Sequence, residues 1–325
     1  MHKIFLFGLW NKYRRIRLLK QILLTGSEGF IGKSIFRSNL FDIHYVVDIE
    51  SQKLALRKTN QKSELLKIDP LHLNETLPKD VTDILHFGAI TSTLFTDETR
   101  IRIFNTYVTN SLVDVACKRG INMVFASSAS VYSQVIPMNE DLNLTSPNNL
   151  YAKSKWESEQ YINRRCNCEI PHITALRLFN IYGRFEEKKG AMSSIVWRFV
   201  NDALRTNKIV IFTKEGHVLG SQSRDFVFVD DLVRFLGLLM NSNRGYGLLN
   251  FGTGISHAFS EIVSLVSARI PDVKVDSILL PDQYSKDYQW YTQSDSSKFS
   301  ALFPEFQFTT ISAGLQEVFD YSAKM

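Results

Sequence analysis

A tyrosine and a lysine, four residues apart, are the first residues in this chain whose types and spacing suit chemistry. Tyr151 and Lys155 stand in the segment Asn149-Leu-Tyr-Ala-Lys-Ser-Lys155, and this spacing places them on one face of a helix. An ammonium beside a phenol favours the phenolate, so we expect Lys155 to lower the pKa of Tyr151. Such a tyrosine can take the proton of a hydroxyl group while a hydride leaves the same carbon. The alternative is an amphipathic helix with an ordinary surface tyrosine and lysine.

A glycine-rich turn between a predicted strand and a predicted helix indicates a dinucleotide site. Residues 21–25 form an apolar run, typical of a buried strand, and lead into Gly26-Ser-Glu-Gly29-Phe-Ile-Gly32 and a helix to Leu40. Such a turn lets the backbone approach a pyrophosphate, which the amides of the helix N-terminus bind. A second strand ends in Asp48, 22 residues after Gly26, where a carboxylate binds a ribose 2′-hydroxyl. The alternative is a tight turn whose glycine serves helix packing.

The acids at the end of the second strand bear on the choice of cofactor. Asp48 and Glu50 should repel a 2′-phosphate, which favours NAD over NADP. Lys53 and Arg57 follow closely and can reverse this preference, so NADP stays open.

Two further predicted strands lead to residues that carry hydroxyl groups. Residues 83–86 form one strand, and the segment after it lies at the carboxyl edge of the sheet, where ligands bind. Ser92 and Thr93 in that segment can contact cofactor or substrate, with helix capping as the alternative. Residues 123–126 form the next strand and deliver Ser128, which can hydrogen-bond the reacting hydroxyl; the alternative is a serine-rich loop.

The order of elements predicts the fold class α/β, as a Rossmann-type doubly wound parallel sheet with a smaller C-terminal α/β substrate-binding domain. After residue 179 the alternation weakens to a polar loop at 180–190 and a helix at 191–205. We expect a basic leader at 1–20, disordered or amphipathic. The dinucleotide-binding domain should cover 21–179 with about 225–252, and the substrate-binding domain 180–224 and 253–325.

Composition excludes several classes of protein. The net charge is +5, but the first twenty residues hold six lysines and arginines and no acid, so the remainder is nearly neutral. A nucleic-acid binder should carry a basic face in its folded body, so we expect no nucleic-acid partner. The three cysteines favour a reducing, cytoplasmic setting, and no Cys/His set has the spacing of a zinc site, so no metal is expected.

The N-terminus has more than one interpretation. The apolar run Ile4-Phe-Leu-Phe-Gly-Leu-Trp10 has seven residues, too few to span a bilayer, and no small-residue cleavage site follows it. It can be a helix on an anionic membrane surface, an unstructured leader, or the product of a start codon placed too far upstream.

Together these motifs resemble the extended short-chain dehydrogenase/reductase superfamily. The resemblance rests on Thr25-Gly-x-x-Gly-Phe-Ile-Gly32, Asp48, His86-x-x-Ala89, Ser128, Tyr151-x-x-x-Lys155 and Arg224-Asp-Phe-Val-x-Val-x-Asp231. It implies a nicotinamide cofactor, a homo-oligomer and a nucleotide-sugar substrate. The cofactor-binding residues that it implies are Gly26, Glu28, Gly29, Phe30, Ile31, Gly32, Asp48, Ala89 and Lys155.

Within the superfamily, the chain is similar to ADP-L-glycero-D-manno-heptose 6-epimerases. The similar segments are Phe179-Asn-x-Tyr-Gly-x-x-Glu-x-x-Lys189-Gly-x-Met192, Ser92-Thr93 before Asp97, and Tyr288-Gln-x-x-Thr-Gln-x-Asp295. In that family a lysine at the place of Lys189 is a second base, across the substrate from the tyrosine. One base removes the hydroxyl proton as hydride leaves C6″, and the other returns a proton after the ketone has turned over. The alternative for Lys189 is a solvated loop lysine beside Lys188.

The resemblance also implies roles for the remaining residues. Tyr151 and Lys189 are the acid/base groups, Lys155 tunes the tyrosine and contacts a ribose, and Ser128 donates to the hydroxyl. Arg224 would bind the nucleotide's phosphates, with a salt bridge to Asp225 or Asp231 as the alternative. The substrate contacts implied are Ser92, Thr93, Asn180, Ser193, Arg224 and Tyr288.

Several positions depart from the heptose epimerase pattern. Arg184-Phe185 replaces a Pro-Arg pair, Phe87 replaces a glutamate, and the loop between Gly216 and Arg224, expected to touch the nucleotide or its sugar, is longer. These changes fit a relative that acts on another nucleotide-linked heptose or hexose. Ala129 and Ser130 stand where 4,6-dehydratases carry Asp-Glu, so we do not expect dehydration.

Three functions therefore remain open. The first, which we favour, is a nucleotide-diphospho-sugar epimerase with a retained nicotinamide that acts on an ADP-glycero-manno-heptose at C6″. The second is a 4-epimerase or a ketosugar reductase on another nucleotide sugar. The third is a non-catalytic dinucleotide-binding protein, which would keep the glycine turn without needing the tyrosine and lysine.

Overall fold

The computed structural model describes residues 20–50, 53–58, 66–68, 73–133, 135–141, 143, 145–166, 172–242, 245–281 and 288–325. The predicted leader lies outside the described residues apart from Lys20, and so do the side chains of Glu50, Lys53 and Arg57. In the described part of the chain, no helix combines the length and the apolar character needed to cross a membrane.

The described residues contain thirteen strands and ten α-helices. The strands are β1 (Ile22–Thr25), β2 (Ile43–Glu50), β3 (Lys53–Lys58), β4 (Leu66–Ile68), β5 (Asp83–His86), β6 (Asn122–Ser128), β7 (Ile173–Leu178), β8 (Asn180–Tyr182), β9 (Lys208–Thr213), β10 (Ser223–Phe228), β11 (Gly247–Phe251), β12 (Ser256–Ala258) and β13 (Lys274–Leu279). The helices are α1 (Phe30–Arg37), α2 (Leu73–Thr76), α3 (Glu98–Ile101), α4 (Val108–Arg119), α5 (Leu150–Cys166), α6 (Ile195–Thr206), α7 (Val229–Asn241), α8 (Phe259–Ser267), α9 (Ser297–Leu302) and α10 (Ile311–Ser322). A π-helical segment, Arg102–Tyr107, joins α3 to α4.

The main sheet confirms the predicted fold class. Its strand order is β11-β7-β6-β5-β1-β2-β3-β4, and the six strands from β11 to β2 are parallel. Strands β3 and β4 extend the sheet in antiparallel fashion, an extension that the sequence analysis did not predict. Parallel strands joined by crossover helices form the Rossmann-type arrangement, with the ligand edge at their carboxyl ends.

Both faces of the main sheet are buried, which explains the apolar runs of its strands. Leu24 and Leu85 belong to one apolar cluster, whereas their neighbours Leu23 and Ile84 belong to a second. Successive side chains of a strand point to opposite faces, so the two clusters lie on the two sides of the sheet. Helices must cover both faces of such a sheet, and its strands therefore show continuous rather than alternating hydrophobicity.

The region after residue 179 differs in detail from the prediction. The predicted polar loop at 180–190 contains strand β8, which pairs with β10, and a 3₁₀ turn over Glu187–Met192. The helix predicted from 191 begins at Ile195, because Gly190 adopts φ +54° and Ser194 caps the helix by accepting the N–H of Trp197 at 3.1 Å. Two small sheets, β12-β10-β8 and β13-β9, follow the main one. The division into two domains stays a prediction.

A buried ion pair joins helix α5 to the main sheet. Arg177 Nε and Nη2 donate to the two carboxylate oxygens of Glu159 at 3.0 and 2.8 Å, and both side chains are at most 1% exposed. The Nη1 atom of Arg177 donates to the Tyr132 hydroxyl at 2.9 Å. Each polar atom taken out of water is thus compensated by a geometrically matched partner.

We expect Arg177→Met to lower the free energy of unfolding by about 3–5 kcal/mol, because Glu159 then keeps a buried charge without its cation. Arg165→Met is the matched control, since Arg165 pairs with Asp114 at an exposed position and should change stability little. Urea titrations followed by circular dichroism measure both. If both variants lost a similar free energy of unfolding, the buried pair would be no more important for stability than the exposed one.

Candidate active site

A cleft of about 1030 Å³ lies at the carboxyl ends of five neighbouring strands, β1, β2, β5, β6 and β7. It is also lined by the segment that follows β8 and by one side of α6 along its length. This is the edge at which ligands bind in doubly wound sheets. The cleft is lined by most of the residues singled out from the sequence.

The glycine turn forms one end of the cleft with very close backbone packing. Gly26 has φ +73°, and a Cβ there would lie 2.7 Å from the backbone of Gly88. A Cβ on Gly32 would overlap the carbonyl group of Gly26. Gly29, at the N-cap of α1, has no side chain to satisfy the helix amides. The first amides of α1 therefore have no side-chain cap, which suits a pyrophosphate.

Asp48 stands beside this turn at the cleft. One carboxylate oxygen accepts the backbone N–H of Glu28 at 2.7 Å, and Asp48 lines the cleft together with Phe30 and Ile31. The side chain of Glu28 is exposed and does not line the cleft, so Glu28 contributes through its backbone. The carboxylate thus lies at the cleft next to the glycine turn. Ala89, after β5, also lines the cleft.

Ser128, Tyr151 and Lys155 come together at the end of β6. Tyr151 lies in the first turn of α5, close enough to Ser128 for the serine hydroxyl to favour the phenolate and lower the pKa of the tyrosine. Lys155, which is 3% exposed, donates from Nζ to the carbonyl of Ala126 at 2.7 Å. Its Nζ lies 5.8 Å from the centre of the Tyr151 ring. The helical spacing observed in the sequence thus brings the two side chains side by side.

The expected electrostatics of this pair need correction. The pKa of Tyr151 is raised rather than lowered, because burial disfavours the phenolate and outweighs the opposing hydrogen bond from Ser128. Burial also lowers the pKa of Lys155 to about 7, with Glu159 opposing that shift. A lysine that readily loses its charge is a weak stabiliser of a phenolate. In this structure, Ser128 is the group that lowers the pKa of the tyrosine.

The two neighbouring lysines of the 3₁₀ turn differ clearly. Lys188 is exposed and does not line the cleft. Lys189 lines it, is 29% exposed, and pairs with the carboxylate of Glu186 at 3.1 Å. Its Nζ also lies 4.8 Å from the ring of Phe30, beside the glycine turn. Lys189 and Tyr151 therefore face the same cleft from different elements.

Arg224 lies in the cleft without a carboxylate partner among the described residues. It is 9% exposed, donates to the carbonyls of Ser223 at 2.8 Å and Gln289, and lies 5.5 Å from the rings of Phe259 and Tyr288. Burial lowers its pKa to about 10, a value at which the guanidinium is still charged at neutral pH.

The acids proposed as alternative partners of Arg224 are engaged elsewhere. Asp225 accepts from Thr253 and Ser294, and Asp231 from Thr309 and Arg234. A buried cation without a counter-ion at a cleft suits an anionic ligand.

Most of the other predicted substrate contacts lie at the cleft, and one does not. Asn180, Ser193 and Thr93 line the cleft, whereas Ser92 does not. The amide nitrogen of Asn180 donates to Thr292 Oγ1 at 2.8 Å, so its oxygen is the atom available to a ligand. Ser193 donates to the carbonyl of Gly190 at 2.7 Å.

The loop that precedes Arg224 does not touch the cleft as expected. Phe212 and Arg224 line the cleft, but none of the residues between them does. His217 instead stacks on Trp290 with ring centres 4.3 Å apart, and Trp290 packs against Tyr288 at 5.3 Å. The loop therefore reaches the cleft only through this aromatic series.

Sequence reasoning missed one polar face of α6. Arg198, Asn201, Asp202 and Arg205 line the cleft at spacings of three, one and three residues, which is one helical stripe. The sequence does contain a signal for these residues, namely a polar stripe on a helix whose other face is apolar. The sequence predicted the helix itself but not which of its faces would meet a ligand.

Comparison with known proteins gives a consistent result. The model of the family described as "NAD dependent epimerase/dehydratase family" matches residues 22–252. An ADP-L-glycero-D-manno-heptose-6-epimerase from Brachyspira hyodysenteriae is 29% identical over 308 residues, which cover 91% of this chain and 96% of that protein.

Solved structures of other proteins share the fold, and two of them illustrate this. The ADP-L-glycero-D-manno-heptose-6-epimerase of Helicobacter pylori has a TM-score of 0.76 at 22% identity and covers 95% of this chain and 98% of its own. The UDP-N-acetylglucosamine 4-epimerase of Methanobrevibacter ruminantium, in complex with UDP-N-acetylmuramic acid, has a TM-score of 0.78 at 22% identity and covers 94% and 99%. At this identity the likeness extends to the fold alone.

We expect Ser128→Ala to raise the pKa of Tyr151 further, because the phenolate loses its hydrogen-bond donor while burial is unchanged. The acid limb of any turnover that uses the phenolate as base should then move to higher pH. Tyrosine labelled with ¹³C at Cζ, with Tyr151→Phe for assignment, reports the titration directly. Ser130→Ala is the control, since the Ser130 hydroxyl has no partner among the described residues. An unchanged or lowered pKa in Ser128→Ala would refute the assignment.

Proposed function

We propose that this chain, which belongs to the NAD-dependent epimerase/dehydratase family, is a nucleotide-diphospho-sugar epimerase that inverts C6″ of an ADP-glycero-manno-heptose. At the coarser level it is an NAD-dependent enzyme of the nucleotide-sugar epimerase/dehydratase type. The observation that carries the finer proposal is that Tyr151 and Lys189 line one cleft from separate elements. Two acid/base groups on separate elements are useful to such an epimerase, because the proton can then leave and return in different orientations of the sugar.

The residues at the sheet edge fit a dinucleotide. The turn from Gly26 to Gly32 would hold the pyrophosphate, Asp48 the adenosine ribose, and Ala89 and Lys155 the nicotinamide half. NAD supplies a hydride acceptor that is reduced and re-oxidised within one turnover. Retention of the cofactor is the property that separates this proposal from a reductase.

The side chains then divide the proton transfers. Tyr151 takes the proton of the sugar hydroxyl, supported by the Ser128 hydrogen bond. After the ketone has turned over, Lys189 returns a proton to the oxygen on the other side. Lys155 holds the tyrosine and the ribose in place through its anchor on Ala126. Microscopic reversibility exchanges these roles for the opposite epimer.

The nucleotide half would occupy the opposite end of the cleft. Arg224 is the buried cation there, and Arg198 and Arg205 add charge from α6. Tyr288 and Phe259 flank Arg224 and keep its guanidinium in one orientation. A planar fork fixed in this way binds phosphate oxygens with two parallel hydrogen bonds.

A second candidate is a 4-epimerase or ketosugar reductase on another nucleotide sugar. Two observations support this candidate. The fold is similar to that of the 4-epimerase, and Phe87 and Arg184-Phe185 depart from the heptose epimerase pattern. Consumption of added NADH or NADPH would identify a reductase. Dehydration is disfavoured, because Ala129 and Ser130 follow Ser128 where a carboxylic acid would be needed. A homo-oligomer remains part of the proposal through the resemblance.

A non-catalytic dinucleotide-binding protein is the candidate from another class. It would bind NAD and leave every nucleotide sugar unchanged. The assembly of Ser128, Tyr151 and Lys155 beside the glycine turn argues against it, because cofactor binding alone does not need a tyrosine at that place.

We expect Arg224→Met to weaken binding of ADP and of UDP by about 10–100-fold, because a charge-assisted hydrogen bond contributes about 1.5–3 kcal/mol. Isothermal titration calorimetry measures both affinities. Arg205→Met is the comparison, since Arg205 is exposed at the cleft and should have the smaller effect. A larger loss for Arg205→Met would contradict the central place of Arg224.

We expect purified protein, without added cofactor, to convert ADP-D-glycero-D-manno-heptose into its L-glycero epimer, as followed by proton NMR. Tyr151→Phe and Lys189→Met should each abolish conversion, while Lys188→Met should retain it because Lys188 lies outside the cleft. Bound NAD without conversion would exclude this substrate, and a panel of UDP- and GDP-sugars then tests the second candidate.

A further inference from the structure

One buried carboxylate beside the cleft has no part in the proton transfers described above. Glu186 is fully buried, and its oxygens accept four hydrogen bonds. Oε1 accepts from the Gly183 N–H at 3.0 Å and from Ser194 Oγ at 2.7 Å; Oε2 accepts from the Ser194 N–H at 2.6 Å and from Lys189 Nζ at 3.1 Å. Three of these donors belong to fixed backbone or to a helix cap, and the fourth is the side chain of Lys189 at the cleft.

The carboxylate is held more rigidly than the lysine that it contacts. Backbone donors on both sides of the 3₁₀ turn fix its two oxygens, and the backbone N–H of Lys189 donates to the Glu186 carbonyl at 2.9 Å. Lysine has a flexible four-carbon stem, so an ammonium without such an anchor samples many positions. The anchor selects one of them, over the ring of Phe30 and beside the glycine turn.

We propose that Glu186 is the positioning residue of the second acid/base group: it holds the Lys189 ammonium at the cleft and does not itself touch the substrate. This inference rests on the proposed function of Lys189. Glu186 is not among the residues that line the cleft, so its effect must pass through Lys189. Proton transfer requires the donor atom at hydrogen-bond distance, and a mobile lysine loses that geometry.

The competing explanation is purely structural. Glu186 also bonds Ser194, which caps helix α6, so it can serve only to fix the start of that helix. The two explanations predict different kinetics for a variant that lacks the cap and keeps the carboxylate. They also predict different reactivity of Lys189 when no substrate is present.

The first experiment compares Glu186→Gln with Ser194→Ala on the sugar that the wild-type protein epimerises. We expect Glu186→Gln to lower kcat about 10–100-fold with KM within about twofold, because a neutral amide no longer holds the Lys189 ammonium in place. Ser194→Ala should lower the thermal midpoint but keep kcat within about threefold. Parallel losses of kcat and stability in both variants would overturn the proposal.

The second experiment needs no turnover. Trace acetylation with acetic anhydride at pH 8, detected by peptide mass spectrometry, compares Lys189 with Lys188 in the wild-type protein and in Glu186→Gln. Losing the carboxylate should raise the labelling of Lys189 about tenfold relative to Lys188, because the ammonium is no longer held by its charge-assisted bond. An unchanged ratio would overturn the proposal. If the wild-type protein epimerises no sugar, the proposed function fails, while this ratio still decides whether Glu186 holds Lys189.

Discussion

The burial of one cation, Lys155, is the constraint on which the active-site end of the fold depends. A lysine that is 3% exposed needs compensation, and it receives a carbonyl from β6 and the field of Glu159, one helical turn further along α5. Glu159 in turn is held by Arg177 of β7, and Arg177 by Tyr132. The charge of the lysine is thus balanced through a series of buried groups that fixes α5 on the sheet, and Tyr151 takes its position from the same helix.

The acids of the motif at residues 224–231 bind other parts of the protein, so within this family motif they have a structural role and do not line the cleft. Asp225 accepts the backbone and side-chain donors of Thr253 and Ser294, and a Cβ on Gly252 would approach its carboxylate within 2.7 Å. It ties β10 to the end of β11 and to the segment after Tyr288. With its neighbours so engaged, Arg224 is left without an acid partner in the described part of the chain. The geometry makes the arginine, rather than the acids, the candidate ligand-binding group.

Local pattern was enough to predict most of the sheet and the centre of the site. The glycine turn, Asp48, Ser128 and the pair Tyr151 and Lys155 are defined by strand ends and by helical spacing, which are short-range properties. The pKa of Tyr151 was not predictable in this way, because it depends on how deeply tertiary packing buries the phenol. Likewise, Lys188 and Lys189 are adjacent lysines that the sequence does not distinguish. Tertiary structure does, because the buried carboxylate of Glu186, which is bonded to the N-cap of α6, pairs with Lys189.

The two lysines of the cleft show how environment assigns different functions to one residue type. Lys155 is anchored by a neutral carbonyl in a buried place, so its charge is weakly held and its pKa falls to about 7. Lys189 is anchored by a carboxylate and is 29% exposed to the cleft. The first arrangement suits a group whose duty is to hold a tyrosine and a ribose. The second suits a group that reaches a substrate oxygen, because the carboxylate fixes the position of an ammonium that still faces the cleft. The same cleft thus holds two lysines whose surroundings prepare them for different tasks, one for positioning and one for proton transfer.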